Sequence, residues 1–215
     1  MTSNNTYRMS VVIVVHDQSE SIENNLPAFL TMAQAVNCEV IVVENTSTDN
    51  TPDVLKRMKA DYDNLYTTYL PQPVRIISQL QLAFTIGAKA AHSNRIVLAN
   101  IDRPPVCNEW LELLDCEGEA ALVYTINKGN DVKVCHKSYT TLEDARPFIC
   151  KAERRSGRGH QGRRHKLLSG LYDAVAVSKD RVYEAIKYFD HNIKGHHLLA
   201  LQIQVCWKNL CSRGG

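Results

Sequence analysis

Three short, strongly apolar segments constrain the fold of this 215-residue chain more than any other feature. The segments MSVVIVV (9–15), CEVIVVEN (38–45) and RIVLA (95–99) are rich in β-branched residues, which is typical of strands buried on both faces. Helical spacing of apolar residues follows the first segment at 21–36 and precedes the third at 79–92. Strand–helix–strand units of this kind predict a parallel sheet with right-handed crossovers.

The remaining patterns complete the predicted architecture. We expect Thr51 to be the N-cap of another helix, with Pro52 at its first helical position, and we expect residues 66–70 (YTTYL) in a loop. Later segments predict a short helix at 108–115, strands at 121–126, 131–137 and 171–178, and helices at 179–189 and 195–210. We therefore predict one α/β domain over residues 1–215, with a mostly parallel, Rossmann-like central sheet flanked by helices.

Polar residues gather where the three apolar strands end. They occupy the loops at 16–19, 44–49 and 100–105. In parallel sheets, ligands bind at the carboxyl ends of the strands, so these loops are predicted to form one site. Glu44 and Asn45 have side chains that can bind a nucleotide base or ribose. The segment 47–49 (STD) can equally cap the next helix, and both interpretations stay open.

The third strand ends in Asn100-Ile101-Asp102, which supplies one carboxylate and one amide oxygen. These hard oxygen ligands suit Mg²⁺ or Mn²⁺ bridging a diphosphate. The alternative is a solvated Asp102 paired with Arg103.

The charge of the chain is unevenly distributed. Residues 151–166 contain seven Lys and Arg and one Glu, so this segment has a charge of +6 and the rest of the chain −4. The basic segment is predicted to be a loop that is solvated or covers a diphosphate; an anionic polymer or a membrane surface is an alternative ligand. It lacks the interleaved aromatic residues of nucleic-acid-binding segments. His196 and His197 begin the last predicted helix, where they form a solvated pair, a base or metal ligands.

The seven cysteines form no CxxC pair, which argues against a zinc module or a disulfide framework and favours reduced thiols in a cytoplasmic protein. No apolar stretch is long enough to span a bilayer.

Three segments resemble family 2 glycosyltransferases of the GT-A fold, the nucleotide-diphospho-sugar transferase type, and most of all the bacterial, Bacteroides-type members. They are SVVIVVHDQSESIENNLPAFL (10–30), CEVIVVENTSTDNTPDVLKRM (38–58) and IGAKAAHSNRIVLANID (86–102). The resemblance is good over 9–115, the nucleotide-binding half, and patchy over 116–210, which would be the acceptor-side half. It implies transfer of a sugar from a nucleotide donor to an acceptor hydroxyl, with inversion.

The resemblance also implies roles for individual residues. The nucleoside is expected at Val15, His16, Asp17, Glu44 and Asn45. The diphosphate and Mn²⁺ or Mg²⁺ are expected at Asn100 and Asp102. The sequence differs from the family pattern at three places in the chain. Asn100 replaces the first aspartate of the Asp-x-Asp motif. Gln81 replaces a basic residue, which leaves Lys89 as the nearest cation. Gly195, His196 and His197 replace an acidic pair that supplies the general base, and a histidine can serve in that role.

We therefore predict an inverting glycosyltransferase that uses a UDP- or GDP-sugar and a glycan, a lipid-linked molecule or another hydroxyl compound as acceptor. It is expected in the cytoplasm, including the inner face of the cell membrane. One alternative is a catalytically weak or inactive relative that binds a nucleotide or a partner. The other is a binder of anionic polymers or membrane surfaces through residues 151–166.

Overall fold

The computed structural model describes residues 7–71, 79–128, 131–140 and 173–187. Within these ranges the strands are β1 (Ser10–Val15), β2 (Glu39–Glu44), β3 (Leu65–Tyr69), β4 (Arg95–Ala99), β5 (Ala120–Lys128), β6 (Asp131–Tyr139) and β7 (Ala174–Ser178). The α-helices are α1 (Ser19–Ala35), α2 (Thr51–Asp61), α3 (Gln79–Ala90) and α4 (Lys179–Lys187). A short 3-10 helix, Glu112–Leu114, lies between β4 and β5.

The strands form a seven-stranded sheet in the order β3-β2-β1-β4-β7-β5-β6. The first four strands in this order pair in parallel, and β7 then pairs antiparallel with both β4 and β5. Since β6 is also antiparallel to β5, five of the seven strands point in one direction. The predicted α/β class with a mostly parallel sheet flanked by helices is confirmed.

Burial on both faces of the sheet explains the β-branched composition of its central strands. All six residues of β1 and all six of β2 are buried. Alternate residues of these strands face two separate cores: Val11 and Ile13 pack with α1 and α2, whereas Val12 and Val14 pack with α3 and α4. If only one face of the sheet were buried, the sequence of these strands would alternate between apolar and polar residues.

Gly87 allows α3 to lie close against the sheet. A Cβ atom added at this glycine would be 2.6 Å from Val12 Cγ1 and 3.2 Å from Val43 Cγ2. Such distances are below van der Waals contact, so the absence of a side chain at this position sets the distance between α3 and the two central strands.

Three local predictions need correction. Residues 66–70 are not a loop, because β3 spans Leu65–Tyr69 at the edge of the sheet. Thr51 is the first residue of α2 and not its N-cap; its Oγ1 accepts a hydrogen bond from the Gln18 N–H at 3.1 Å. The helix expected at 108–115 is reduced to turns and the short 3-10 helix. The helix predicted at 195–210 lies outside the described residues. Among the described helices, none has both the length and the apolar character needed to cross a bilayer.

Candidate nucleotide and diphosphate site

The parallel pairing of β1, β2 and β4 brings the three predicted loops to one edge of the sheet. Val15, the last residue of β1, is paired with Glu44, the last residue of β2. On the other side of β1, Val12 pairs with Leu98 of β4. The loops after these strands therefore begin next to one another at the carboxyl edge, which we call the site edge.

The loop after β1 is bonded to the loop after β2 through Asp17. The Asp17 carboxylate accepts hydrogen bonds from the backbone N–H of Thr48 at 2.6 Å and of Asp49 at 3.3 Å, and the Asp17 N–H donates to Ser47 Oγ at 3.0 Å. The hydrogen bond from Thr48 lowers the pKa of Asp17 below its ordinary value. Asp17 has a φ of 50°, a left-handed conformation that aspartate tolerates better than most residues. The Asp17 carboxylate therefore connects the two loops through hydrogen bonds.

His16 completes this connection. Its Nδ1 lies 2.6 Å from the carbonyl oxygen of Asn45. Since a carbonyl oxygen only accepts hydrogen bonds, Nδ1 must be the protonated ring nitrogen. The other ring nitrogen, Nε2, lies 3.5 Å from Asp17 Oδ2 at the surface of the site.

Glu44 and Asn45 present polar atoms that the loop itself does not fully use. Glu44 is 4% exposed, and its Oε1 accepts a hydrogen bond from the Ser47 N–H. The side-chain oxygen of Asn45 is buried and has no hydrogen-bond partner in the part of the chain that the structure describes. Because a buried polar atom without a partner is costly, this amide oxygen is suited to a ligand N–H.

Asp49 has a structural role at the same edge. Its two carboxylate oxygens accept hydrogen bonds from the N–H of Ser19 at 3.0 Å and of Thr51 at 2.9 Å, which are the first residues of α1 and α2. Partial burial raises the pKa of Asp49, but the hydrogen bonds from Thr51 and Ser19 outweigh it and lower the pKa to about 2. The helix-capping interpretation of the segment 47–49 therefore applies to Asp49.

The segment after β4 forms a turn in which Asn100 bonds to its own backbone. Asn100 Oδ1 accepts the N–H of Asp102 at 3.0 Å, and the Asn100 carbonyl oxygen accepts the N–H of Arg103 at 2.9 Å. This is the local hydrogen bonding that favours Asn and Asp in turns. Ile101 is 1% exposed and anchors the turn in the core.

The turn places Asp102 over the start of α1. Its Oδ1 accepts a hydrogen bond from Ser21 Oγ at 2.8 Å, and its Oδ2 accepts one from Gln18 Nε2 at 3.3 Å. Asn25 Nδ2 donates to the carbonyl oxygen of Ile101 at 2.9 Å and fixes the turn against the same helix. Gln18 lies in the predicted loop 16–19. Ser21 and Asn25 were not predicted as site residues, because their contacts with this turn depend on how α1 packs.

These residues fit a divalent cation that takes one protein carboxylate. Asp102 supplies the carboxylate, whereas the amide oxygen of Asn100 is directed to a backbone N–H. Within the described ranges, no group of three acidic, histidine or cysteine side chains could hold a metal ion. Mg²⁺ and Mn²⁺ at phosphate sites take many of their ligands from the phosphates and water, so a single carboxylate is compatible with such an ion.

A second carboxylate, which the sequence did not single out, lies beside Asn100. Asp173 directly precedes β7 and is 3% exposed. Its burial raises its pKa, although a hydrogen bond from Thr125 and the charge of Arg103 oppose this effect. An acidic residue inside the apolar segment 171–178 was the available signal, but its position next to Asn100 depends on β7 lying between β4 and β5.

Lys89 is not brought to the site edge. It lies in the last turn of α3 and is exposed, close to the point where the chain enters β4 at the opposite edge of the sheet. It is eight positions after Gln81, which is about 12 Å along the helix axis. Arg103, directly after Asp102, is a cation that lies at the site edge among the described residues.

The predictions for His196 and His197, and for the basic segment 151–166, lie outside the described residues.

Part of the chain matches one sequence family, and the structure resembles solved structures in fold. The profile of the family described as glycosyl transferase family 2 matches residues 10–102. A search of curated protein sequences gives no match. Structural matches are numerous and distant in sequence, so they show the fold alone.

Three solved structures illustrate the fold. A mannosyltransferase from Pyrobaculum calidifontis, in complex with GDP-Man and Mn²⁺, matches with a TM-score of 0.50 at 16% identity, over 82% of this chain and 46% of its own. Glucosyl-3-phosphoglycerate synthase from Mycobacterium tuberculosis, in complex with Mn²⁺, UDP and phosphoglyceric acid, matches with a TM-score of 0.50 at 17% identity, over 96% and 78%. A 4-diphosphocytidyl-2C-methyl-D-erythritol synthase from Anaerococcus prevotii matches with a TM-score of 0.52 at 15% identity, over 92% and 83%.

This chain spans about half the length of the mannosyltransferase. The more specific resemblance to Bacteroides-type bacterial members stays a prediction. Residues 10–102 match glycosyl transferase family 2, and the chain has the GT-A fold that its sequence predicted.

Proposed function

We propose that this protein binds a nucleotide-sugar at the site edge and transfers the sugar to an acceptor hydroxyl with inversion. The observation that supports this most is the convergence of the three strand-end loops, in the part of the chain that matches the family. Asp17 joins the first two loops, and Asp102 joins the third to α1.

The nucleoside is proposed to lie against the loops after β1 and β2. Asn45 offers a buried side-chain oxygen, and Glu44 offers a buried carboxylate at the end of β2. Base N–H groups and ribose hydroxyls are the donors that such acceptors recognise. Val15, His16 and Asp17 are proposed to form the adjacent wall, with Asp17 holding the two loops at a fixed separation.

The diphosphate is proposed to lie next to Asp102. A Mn²⁺ or Mg²⁺ ion held by Asp102 would neutralise the charge that develops on the leaving nucleoside diphosphate. Asn100 is proposed to contribute through the shape of its turn, since its amide oxygen is bonded to the N–H of Asp102.

The acceptor is proposed to be a glycan, a lipid-linked molecule or another compound with a free hydroxyl. His196 or His197 is the proposed general base, because a histidine can take a proton from a hydroxyl near neutral pH. We also propose a cytoplasmic location, at the inner face of the membrane for a lipid-linked acceptor.

The Asn100 turn also favours a second candidate function. An Asp-x-Asp motif has two carboxylates, and this chain has one there. A weaker hold on the metal stabilises the leaving group less, so the protein would bind nucleotide and turn over little or no donor.

Thermal unfolding in the presence of nucleotides tests binding. UDP or GDP with Mn²⁺ should raise the melting temperature, because a ligand that binds the folded state stabilises it by about 2.7 kcal/mol at one hundred times its Kd. Asp102→Ala should remove the increment that depends on Mn²⁺. Asp115→Ala is a matched control, since Asp115 pairs with Arg8, which precedes β1 and lies away from the site edge. If neither nucleotide shifts the melting temperature at millimolar concentration, the proposal is wrong.

Turnover separates the two candidate functions. Wild-type protein that binds UDP or GDP should release nucleoside diphosphate from the corresponding sugar donors when hydroxyl acceptors are added. If wild-type protein releases nucleoside diphosphate and the double variant His196→Ala/His197→Ala does not, the result supports the transferase and the proposed base. Binding without release, over a panel of donors and acceptors, would support the second candidate.

A further inference from the structure

Asp173 is fixed at the site edge by strand pairing on both sides. Ala174, the next residue, pairs with Ala99 of β4 and with Val123 of β5. The Asp173 N–H donates to the Val123 carbonyl oxygen at 2.8 Å, and its own carbonyl oxygen accepts the Asn100 N–H at 3.4 Å. The backbone of Asp173 is therefore a direct neighbour of Asn100, the first position of the turn that holds Asp102.

The side chain of Asp173 is buried and only partly satisfied. It is 2% exposed, and its Oδ2 accepts a hydrogen bond from Thr125 Oγ1. Its Oδ1 has no hydrogen-bond partner within the described ranges, and the nearest cation is Arg103 Nη1 at 3.9 Å. A buried carboxylate oxygen without a hydrogen bond is expensive, so a nearby positive charge is the group that compensates it.

Most N–H donors of the Arg103 guanidinium are not used within the described residues. Its side chain is 33% exposed, and among the described residues its guanidinium has the ion pair with Asp173 and no hydrogen bond. It is the residue directly after Asp102, and its backbone N–H closes the Asn100 turn. A guanidinium presents five N–H donors in a planar fork that matches phosphate oxygens, and one contact with Asp173 leaves most of them available.

We infer that Arg103, positioned by the buried Asp173, binds the diphosphate of the nucleotide beside Asp102. This inference rests on the proposed function. Replacing the first aspartate of the motif by Asn100 removes one negative charge from the turn, and Arg103 adds a positive one. The diphosphate therefore meets one carboxylate and one guanidinium, and part of the charge that a metal would neutralise is neutralised by the protein.

Arg103→Gln tests the contact with the diphosphate. Titrations of UDP and uridine, and of GDP and guanosine, are followed by calorimetry or by ligand-observed NMR. The Kd of the nucleoside diphosphate should rise about tenfold or more, because a charge-assisted hydrogen bond is lost, whereas the Kd of the nucleoside stays unchanged. Arg8→Gln is the matched control. It removes an arginine that pairs with Asp115 at the amino edge of the sheet, opposite the site edge, and should change neither the Kd of the nucleoside diphosphate nor that of the nucleoside.

The possible outcomes distinguish a failure of the Arg103 role from a failure of the proposed nucleotide-sugar function. If wild-type protein binds neither UDP nor GDP, both fail. If wild-type protein binds a diphosphate and Arg103→Gln binds it equally well, or loses nucleoside affinity in the same proportion, only the role of Arg103 is overturned. Arg103→Lys, which keeps the charge and loses the fork, should lie between wild type and Arg103→Gln.

A double-mutant cycle tests the role of Asp173. Asp173→Asn should weaken diphosphate binding in wild-type protein and have no further effect in Arg103→Gln, because a positioning residue acts through the residue it positions. Additive effects would overturn the positioning role. Circular dichroism of each variant confirms that the compared proteins are folded.

Discussion

The two ends of β2 each have a buried glutamate, and their surroundings differ. Glu39, at the amino end, is 3% exposed, and Glu44, at the carboxyl end, is 4% exposed. Glu39 accepts hydrogen bonds from Ser10 Oγ, from the His92 N–H at 2.7 Å and from His92 Nδ1 at 2.8 Å. Glu44 accepts one, from the Ser47 N–H, on a single oxygen, in the part of the chain that the structure describes.

The two edges of the sheet therefore differ in how far the protein itself satisfies the buried carboxylates. At the amino edge, Ser10 also accepts the Ser93 N–H at 3.1 Å, so the network around Glu39 is closed by protein groups. At the site edge, Asn45 and Asp173 each retain a buried oxygen without a partner in the described residues. Buried atoms without a partner are not confined to this edge, because Arg95 Nε and Tyr139 Oη are also unsatisfied within the described ranges and lie near the amino edge. The two at the site edge are acceptor oxygens: that of Asn45 suits a ligand N–H, and that of Asp173 lies near the Arg103 guanidinium.

The largest expected effect compares the two glutamates directly. Glu39→Ala should lower the free energy of unfolding by about 3 kcal/mol, because it removes a buried carboxylate that accepts three hydrogen bonds and leaves the buried Ser10 Oγ without its acceptor. Glu44→Ala should cost about 1 kcal/mol but weaken nucleotide binding. Urea denaturation gives the stabilities, and titration with UDP and GDP gives the affinities. Equal losses of stability in the two variants would contradict the distinction between the edges.

Asp49 lies at the site edge, yet both of its carboxylate oxygens accept hydrogen bonds from the protein. Its pKa in the folded protein is about 2, below the ordinary 3.8, so it stabilises the fold above pH 4. That contribution should disappear as the pH falls from about 4 to about 2. Asp49→Asn should therefore be less stable than wild type by up to about 1 kcal/mol at pH 7, and equally stable near pH 2. A difference that persists at pH 2 would show that charge is not the cause.

Asn100→Asp has the smallest expected effect on stability. An aspartate oxygen can accept the Asp102 N–H as the Asn100 amide does, so the turn is retained and stability changes by less than about 0.5 kcal/mol. The added carboxylate should increase the dependence of nucleotide binding on Mn²⁺ several-fold. Melting temperatures over a Mn²⁺ series, at fixed UDP or GDP, measure this. The role given to Asn100 is wrong if the two proteins respond equally to the metal.

The sequence predicted the central strands because burial on both faces leaves a local trace. β1, β2 and β4 are runs of apolar, β-branched residues, and each was predicted within one or two residues of its observed ends. β3 (LYTTY) was missed because an edge strand with two exposed tyrosines and two threonines lacks such a run. Its strand character follows from pairing with β2, which is not a local property.

The part of the candidate site that lies at the ends of the buried strands was also predictable from the sequence, whereas the part that depends on the pairing of distant strands was not. Glu44 ends one buried strand and Asp102 comes three residues after another, so the rule for parallel sheets brings them to the same edge without a structure. Asp173 and Thr125 join the site only because β7 enters the sheet antiparallel between β4 and β5. Lys89 shows the converse: its charge is visible in the sequence, but the direction of α3 puts it at the other edge.

The most direct test of the account is a map of backbone amide shifts, measured by NMR as UDP or GDP is added to the folded protein. We predict that the amides of residues 15–18, 44–49 and 100–103 shift together, while those around Glu39 and His92 do not. Shifts concentrated at the amino edge, or none at millimolar nucleotide, would contradict a nucleotide diphosphate site at the carboxyl edge of the sheet.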